Sequence, residues 1–130
     1  MSDQDSPILL VDDDKFLLDM YAIKFKNMGY AISIATGSNE ALNKLRGGMK
    51  PKVLILDIIM PQIDGIELLE IIRKENLASD AIVIMLTNES DPAKIEKAKT
   101  LGIAGYIVKA TLIPSEVVEQ IIAIIKKNQT

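Results

Sequence analysis

The stretch ILLVDDDK, from Ile8 to Lys15, runs from four apolar residues directly into three aspartates. A continuous apolar run of this kind is typical of a strand that is buried on both faces, as in a parallel sheet covered by helices. The three adjacent carboxylates repel one another, so the chain must use them, solvate them or neutralise them. The residues outside this stretch indicate which of the three applies.

Four further β-rich apolar runs follow along the chain: AISIA at 31–35, KVLILD at 52–57, AIVIML at 81–86 and GYIVK at 105–109. Segments with helical spacing separate these runs and follow the last one. This alternation predicts five βα units, and therefore an α/β fold whose parallel sheet lies between layers of helices. No repeat or linker divides the chain, so we expect one domain over residues 7–128 after a flexible tail at 1–6.

Helix-starting residues stand between the predicted strands. Asp64 begins a D-x-x-E sequence, which is a variant of the capping box, and Asp91 precedes a proline at the first position of the next helix. Asp14 and Ser38 are the predicted N-caps of the first two helices. Gly65 lies just inside the third helix, where we expect it to supply flexibility.

Composition excludes several classes of function. The chain has 130 residues, 48% of them hydrophobic, and a net charge of -3, which argues against binding of nucleic acid through clustered lysine and arginine. Cysteine and histidine are absent, which removes disulfides, the usual zinc sites and Ser–His or Cys–His catalysis. Neither a secretory signal nor an apolar run of membrane-spanning length is present, so we expect a cytoplasmic protein without a membrane partner.

Polar side chains follow four of the five predicted strands. Asp12 and Asp13 follow the first, Asp57 the third, Thr87 the fourth and Lys109 the fifth. Ligands of open parallel sheets bind beyond the carboxyl ends of the strands, so we expect these side chains to lie close together. Carboxylates without histidine or cysteine suit Mg²⁺, while an ammonium and a hydroxyl suit an anion. The set is typical of phosphoryl transfer onto a carboxylate.

Four motifs in order carry a resemblance to a known family: VDDD at 11–14, LDIIMPQIDG at 56–65, LT at 86–87 and GYIVK at 105–109. With them the chain resembles a chemotaxis-regulator-like response regulator receiver domain over essentially its whole length. The resemblance implies a flavodoxin-like, doubly wound, five-stranded parallel sheet of order 2-1-3-4-5. It also implies a phosphoprotein of two-component or phosphorelay signalling, which is not an enzyme beyond catalysing its own phosphorylation and dephosphorylation.

The resemblance also implies roles for the acidic residues. Asp57 accepts a phosphoryl group from the phosphohistidine of a sensor histidine kinase or a phosphotransfer protein. Asp13 binds Mg²⁺ directly, Asp12 binds it mainly through water, and Asp57 and the Ile59 backbone carbonyl complete the metal site.

The same resemblance implies roles for Thr87, Lys109 and Tyr106 and a way in which the domain passes on its signal. Thr87 and Lys109 contact the phosphoryl oxygens, and Tyr106 is the aromatic switch that turns inward when Thr87 moves. No output domain is expected after the last helix, so phosphorylation switches the binding of an unidentified output protein. We expect a stand-alone monomer or a weak phosphorylation-dependent dimer.

Asn88 and Ala110 depart from the family pattern, and Ile59 lies at a position where the family varies widely. Asn88 stands where a small residue is usual, and crowding there predicts that Asn88→Ala speeds phosphorylation by small donors. Ala110 replaces a proline that follows a cis peptide bond; a cis bond to alanine costs about 2.5 to 4 kcal/mol, so we predict a trans bond. The apolar side chain that Ile59 places beside Asp57 is expected to obstruct the attacking water and lengthen the phosphorylated state.

Three alternatives stay open at this point. Asn88 and Ala110 are compatible with a degenerate receiver that acts as a phosphorylation-independent interaction module. A haloacid-dehalogenase-like phosphatase needs a second aspartate two residues after its nucleophile, where this chain has Ile59. A flavodoxin-like FMN carrier needs a hydroxyl- and glycine-rich loop after the first strand, where this loop is acidic.

The first predicted helix carries more apolar residues than one buried face requires. They form two stripes at helical spacing. Leu17, Met20, Tyr21 and Met28 form the predicted core-facing stripe, and Leu18, Ala22 and Phe25 form the second. A deeply covered helix explains this surplus as well as a partner surface does, and the family resemblance, in which this helix docks the kinase, implies the partner surface.

Overall fold

The computed structural model of the protein describes residues 7–129, and the predicted tail at 1–6 lies outside the described residues. Five strands and five α-helices alternate along this part of the chain. The strands are β1 (Ile8–Asp12), β2 (Ile32–Thr36), β3 (Val53–Leu56), β4 (Ile82–Thr87) and β5 (Gly105–Val108). The α-helices are α1 (Lys15–Asn27), α2 (Ser38–Arg46), α3 (Gly65–Lys74), α4 (Pro92–Thr100) and α5 (Pro114–Asn128). Every strand boundary lies within one residue of its prediction.

All the strand pairs are parallel, and the strand order is β2-β1-β3-β4-β5. The predicted fold is therefore confirmed. β1 and β3 are central and wholly buried, which explains why they read as continuous apolar runs rather than alternating ones. β4 and β5 are neighbours, with Thr87 opposite Val108 at their carboxyl ends.

Side chains of each strand alternate between two apolar clusters on opposite faces of the sheet. In β1, Leu9 and Val11 join the first cluster, whereas Ile8 and Leu10 join the second. The first cluster is completed by α2, α3 and α4, and the second by α1 and α5. Both faces of the sheet are therefore covered, and its carboxyl edge is left for polar residues.

Most of the predicted helix caps are confirmed. Asp14 accepts the backbone N–H of the third residue of α1, Asp91 caps α4, and Asp64 forms the predicted capping box at α3. The prediction for α2 was wrong, because Gly37 occupies the N-cap and Ser38 is the first helical residue. Gly37 has φ of 99°, a conformation that glycine adopts without strain.

Gly65 has a different role from the flexibility that the sequence suggested. A β-carbon built on Gly65 would lie 2.0 Å from the backbone oxygen of Asp57, which leaves no space for any side chain. The N–H of Gly65 also donates to the Ile58 carbonyl at 2.9 Å. The glycine therefore allows the first turn of α3 to press against the end of β3, directly under Asp57.

The buried face of α1 differs from the predicted one. Its buried residues are Leu18, Tyr21, Ala22 and Phe25, so the two predicted stripes merge into one face. Met28 was placed in the core by sequence and is exposed instead, as are Phe16 and Ile23. The surplus apolar surface of α1 is therefore real but lies on other residues. Within residues 7–129, no helix is long and apolar enough to cross a membrane.

Candidate functional site

The predicted site residues meet at the carboxyl edge of the sheet. Asp12 ends β1 and Asp57 directly follows β3, while Thr87 ends β4 and Lys109 directly follows β5. Parallel strands put all four positions at the same edge. Asp12, Asp57 and Thr87 are buried, whereas Asp13, the next residue after β1, is exposed.

Three carboxylates cluster there. One carboxylate oxygen from each of Asp12, Asp13 and Asp57 lies within 4.8 Å of the other two. In Asp12, Oδ1 accepts the N–H of Asp14 at 2.9 Å, and in Asp57, Oδ1 accepts the N–H of Ile59 at 3.1 Å. These backbone bonds fix the orientation of both buried carboxylates. In each of them, Oδ2 is left for a partner in the pocket.

Lys109 supplies that partner. Its Nζ lies 2.5 Å from Oδ2 of Asp12 and 2.9 Å from Oδ2 of Asp57. Burial is the largest single influence on the pKa of Lys109 and lowers it, but the hydrogen bonds to both carboxylates and their charges together raise the pKa above its ordinary value. The ammonium is therefore charged, and it offsets part of the negative charge of the acidic cluster through its ion pairs with Asp12 and Asp57.

Thr87 lies between the end of β3 and the loop that precedes α4. Its side chain is fully buried, and its hydroxyl oxygen accepts the N–H of Ile58 at 3.3 Å and that of Glu89 at 3.2 Å. Since Ile58 directly follows Asp57, the hydroxyl is tied to the backbone that carries the carboxylate. The predicted grouping of Thr87 with Asp57 and Lys109 is thus present in the structure.

Tyr106 is connected to Thr87 through Glu89, which the sequence analysis did not assign to the site. The Tyr106 hydroxyl donates to the backbone carbonyl of Glu89 at 2.9 Å, and the Glu89 N–H donates to Thr87. The Glu89 carboxylate accepts the N–H groups of Ser90 and Asp91 and pairs with Lys94 at 3.2 Å. An acidic residue just before an N-cap aspartate was the available signal for this loop.

The pKa values of Tyr106 and Glu89 are shifted in opposite directions. Burial raises the pKa of Tyr106, and the negative charges of Glu89 and Asp57 raise it further. The N–H of Asp91 and the ammonium of Lys94 lower the pKa of Glu89. At neutral pH, the neutral Tyr106 hydroxyl therefore donates to the backbone carbonyl of Glu89, while the charged Glu89 carboxylate accepts the N–H groups of Ser90 and Asp91.

The three unusual positions surround the pocket. Asn88 is exposed, and its Oδ1 accepts the N–H of Ala110 at 2.7 Å. Among residues 7–129 no peptide bond is cis, so the trans Lys109–Ala110 bond is confirmed. Ile59 is 51% exposed beside Asp57, and its screening of the carboxylate from water stays a prediction. Metal binding by the Ile59 carbonyl stays a prediction.

Comparison with known proteins identifies the family. The family model described as "Response regulator receiver domain" matches residues 8–122. The chain belongs to this family. This membership decides against the phosphatase and flavin-carrier alternatives. Asp12 and Asp57, with Lys109 between them, form a buried acidic pocket in this receiver domain.

Solved receiver domains and curated regulators are similar to the chain. A "CheY-like" receiver domain protein from Methanospirillum hungatei is 28% identical, with a TM-score of 0.82 and coverage of 94% of both chains. The chemotaxis protein CheY4 of Vibrio cholerae is 27% identical, with a TM-score of 0.80, over 92% of this chain and 98% of CheY4. "Probable transcriptional regulator ycf27" of Guillardia theta is 35% identical over 93% of this chain and 46% of its own length. The chain spans about half the length of the curated relatives it matches.

Proposed function

We propose that this receiver domain accepts a phosphoryl group on Asp57 from the phosphohistidine of a sensor histidine kinase or phosphotransfer protein. The phosphorylated form then binds an output partner with altered affinity. The observation that carries the proposal is the pocket itself. Lys109 pairs with Oδ2 of both Asp12 and Asp57, and the Thr87 hydroxyl accepts the N–H of Ile58, the residue after Asp57. A purely structural carboxylate would not need a second buried carboxylate and a buried ammonium beside it.

The reaction forms one bond and breaks another. An oxygen of Asp57 attacks the phosphorus, a P–O bond forms, and the P–N bond of the donor breaks with its electron pair going to the imidazole nitrogen. Oδ2 is the attacking atom in this proposal because Oδ1 is bonded to the fixed backbone N–H of Ile59, whereas the partner of Oδ2 is the Lys109 side chain, which can move to a phosphoryl oxygen. Lys109 then exchanges Oδ2 for a phosphoryl oxygen, so its charge stays in the pocket while negative charge arrives.

The donor set of the pocket fits Mg²⁺. Asp12, Asp13 and Asp57 offer only carboxylate oxygens, which hard divalent cations prefer, and one oxygen of each residue lies within 4.8 Å of the other two. These three residues would hold the ion, with the Ile59 carbonyl as a further ligand. An Mg²⁺ ion held by these residues would supply positive charge to offset the negative charge of the carboxylates and of an incoming phosphoryl group.

The surface around the pocket supports docking of a helical donor. Phe16 at the start of α1, Ile59 after β3 and Ile113 before α5 are large apolar residues that are exposed, and all three lie at the carboxyl edge of the sheet. An apolar rim around a charged pocket suits a protein that presents a phosphohistidine on a helix among apolar neighbours.

The connection from Thr87 through Glu89 to Tyr106 supports a switch. A phosphoryl oxygen on Asp57 would compete for Thr87, whose oxygen now accepts the N–H groups of Ile58 and Glu89. Moving Thr87 alters the position of Glu89, and the carbonyl of Glu89 holds the Tyr106 hydroxyl. In this proposal, the surface formed by α4 and β5 reports the state of Asp57.

The test is labelling with a small phosphodonor. Wild type, Asp57→Asn and Asp14→Asn are incubated with Mg²⁺ and phosphoramidate, and intact mass is recorded. We expect one added phosphoryl group on wild type and Asp14→Asn, because asparagine also caps helices, and none on Asp57→Asn. Equal labelling of Asp57→Asn would remove Asp57 as the acceptor. An unlabelled wild type would overturn the proposal and favour the phosphorylation-independent module.

A further inference from the structure

A short hydrogen bond joins the residue that follows Thr87 at the end of β4 to the residue that follows Lys109 after β5. Oδ1 of Asn88 accepts the N–H of Ala110 at 2.7 Å. These two strands are neighbours, and Thr87 pairs with Val108 at the end of the ladder. The bond therefore extends the connection between β4 and β5 one step beyond the last strand pair.

The acceptor is placed where the backbone lacks one. Lys109–Thr111 form a single turn of 3-10 helix, and the preceding residue, Val108, makes no side-chain cap. The first N–H groups of such a turn have no acceptor inside it. Asn88 supplies an acceptor for one of them, the N–H of Ala110, from the loop that follows β4. The side chain thus acts as a cap for the turn that begins with Lys109.

The bond between Asn88 and Ala110 affects the pocket because the turn that it caps begins with Lys109. Lys109 reaches from this turn to two buried carboxylates, at 2.5 Å and 2.9 Å. Its long side chain has many rotamers, so its backbone origin decides how often Nζ reaches both oxygens at once. On the other side, Asn88 directly follows Thr87, whose hydroxyl oxygen accepts two N–H groups at 3.2 and 3.3 Å.

We propose that Asn88 is a positioning residue, whose bond to Ala110 fixes the backbone from which Lys109 serves the phosphoacceptor pocket. The inference rests on the proposed phosphoacceptor function and adds a residue to it. It also reverses the expectation drawn from the sequence alone. If the amide merely crowded the pocket, shortening it would speed phosphorylation. If it positions Lys109, removing its oxygen slows phosphorylation.

The proposal treats the two departures from the family pattern as one arrangement. A proline at position 110 would have no N–H to donate, so an acceptor at position 88 would have no partner there. Alanine brings an N–H, and asparagine satisfies it. The effect of residue 88 is therefore expected to depend on the presence of that N–H.

The first experiment is a double-mutant cycle on the rate of labelling by phosphoramidate at saturating Mg²⁺. Asn88→Leu keeps the side-chain shape without the acceptor, and we expect it to slow labelling about three- to tenfold, as the loss of one neutral hydrogen bond implies. In the Ala110→Pro background the same substitution is expected to change the rate less than twofold. Asn39→Leu is the matched control, since Asn39 is an exposed asparagine on α2 that bonds Gln62 instead.

A second measurement does not depend on phosphorylation. Amide hydrogen exchange of Ala110 is compared in wild type, Asn88→Asp, which keeps an acceptor, and Asn88→Leu, which does not. We expect slow exchange in the first two and an increase of about three- to tenfold in Asn88→Leu. Unchanged exchange, an unchanged or faster labelling rate, or an equal loss of rate in the Ala110→Pro background would each overturn the positioning role. Failure of wild type to label, with Ala110 protected as expected, would instead overturn the phosphoacceptor function.

Discussion

Removal of the Lys109 ammonium is the perturbation for which the structure gives the clearest magnitude. Lys109→Met keeps an unbranched apolar side chain but leaves Asp12 and Asp57 as two buried, like-charged neighbours. At an effective dielectric constant of about 20, the ammonium attracts the two carboxylates by about 6 to 7 kcal/mol each at the distances observed. Removal of the three groups from water offsets most of this attraction.

The expected net loss is that of breaking a buried ion pair. Such losses are about 3 to 5 kcal/mol of unfolding free energy, and we expect the upper half because two carboxylates lose their partner. Mg²⁺ replaces the missing charge, so it should stabilise Lys109→Met more than wild type, in which the ammonium competes with the metal for the same oxygens. Both expectations follow from the position of Nζ between Asp12 and Asp57.

The assay is urea unfolding of wild type and variant at pH 7.5, with EDTA and with Mg²⁺. Lys97→Met is the matched control, because Lys97 pairs with Glu70 at 3.5 Å on the exposed surface and should lose less than about 1 kcal/mol. The reasoning fails if Lys109→Met in EDTA loses no more than Lys97→Met does. It also fails if Mg²⁺ stabilises wild type and Lys109→Met equally.

Three further predictions concern the pocket and its switch. Gly65→Ala should cost about 1 to 3 kcal/mol or more and slow labelling, since its β-carbon would collide with the backbone of Asp57; urea unfolding and labelling rates test this, and a neutral substitution would contradict the packing described. Ile59→Asn should shorten the lifetime of phosphorylated Asp57 by admitting water, as measured by the decay of labelled protein; an unchanged lifetime would remove the screening role. Burial and nearby negative charge raise the pKa of Tyr106, so its contribution to stability is complete below pH of about 10 and is lost as pH rises through the folded pKa. Alkaline unfolding followed by tyrosinate absorbance should show this loss in wild type and a smaller one in Tyr106→Phe.

The sheet and most of the site could be predicted from sequence because they depend on local, periodic signals. Continuous apolar runs identify buried parallel strands, and each polar residue that matters stands directly after one of them, as Asp57 does after Leu56. The topology then brings these ends together without any further information. The order of the strands and the polar residues at their ends predicted more of the site than any single motif could.

Predictions that depended on close contacts between distant segments were less successful. The role of Gly65 depends on a carbonyl eight residues earlier, and the hydroxyl of Ser38 donates to the Ile63 carbonyl at 2.7 Å instead of capping its own helix. The bond between Asn88 and Ala110 joins residues 22 positions apart. No periodicity encodes such pairs, so the sequence presented Asn88 and Ala110 as two unrelated departures.

The three aspartates of ILLVDDDK resolve into three different situations. Asp14 caps α1, Asp13 is exposed at the mouth of the pocket, and Asp12 is buried against Lys109. The chain thus solvates one carboxylate, uses one in a helix cap and neutralises one with an internal cation. Because that cation also holds Asp57, any ion or phosphoryl group that enters the pocket must take over contacts that Lys109 now makes. In the proposed function, metal binding, phosphorylation and the position of Lys109 are therefore coupled by charge, before any larger movement of the fold is considered.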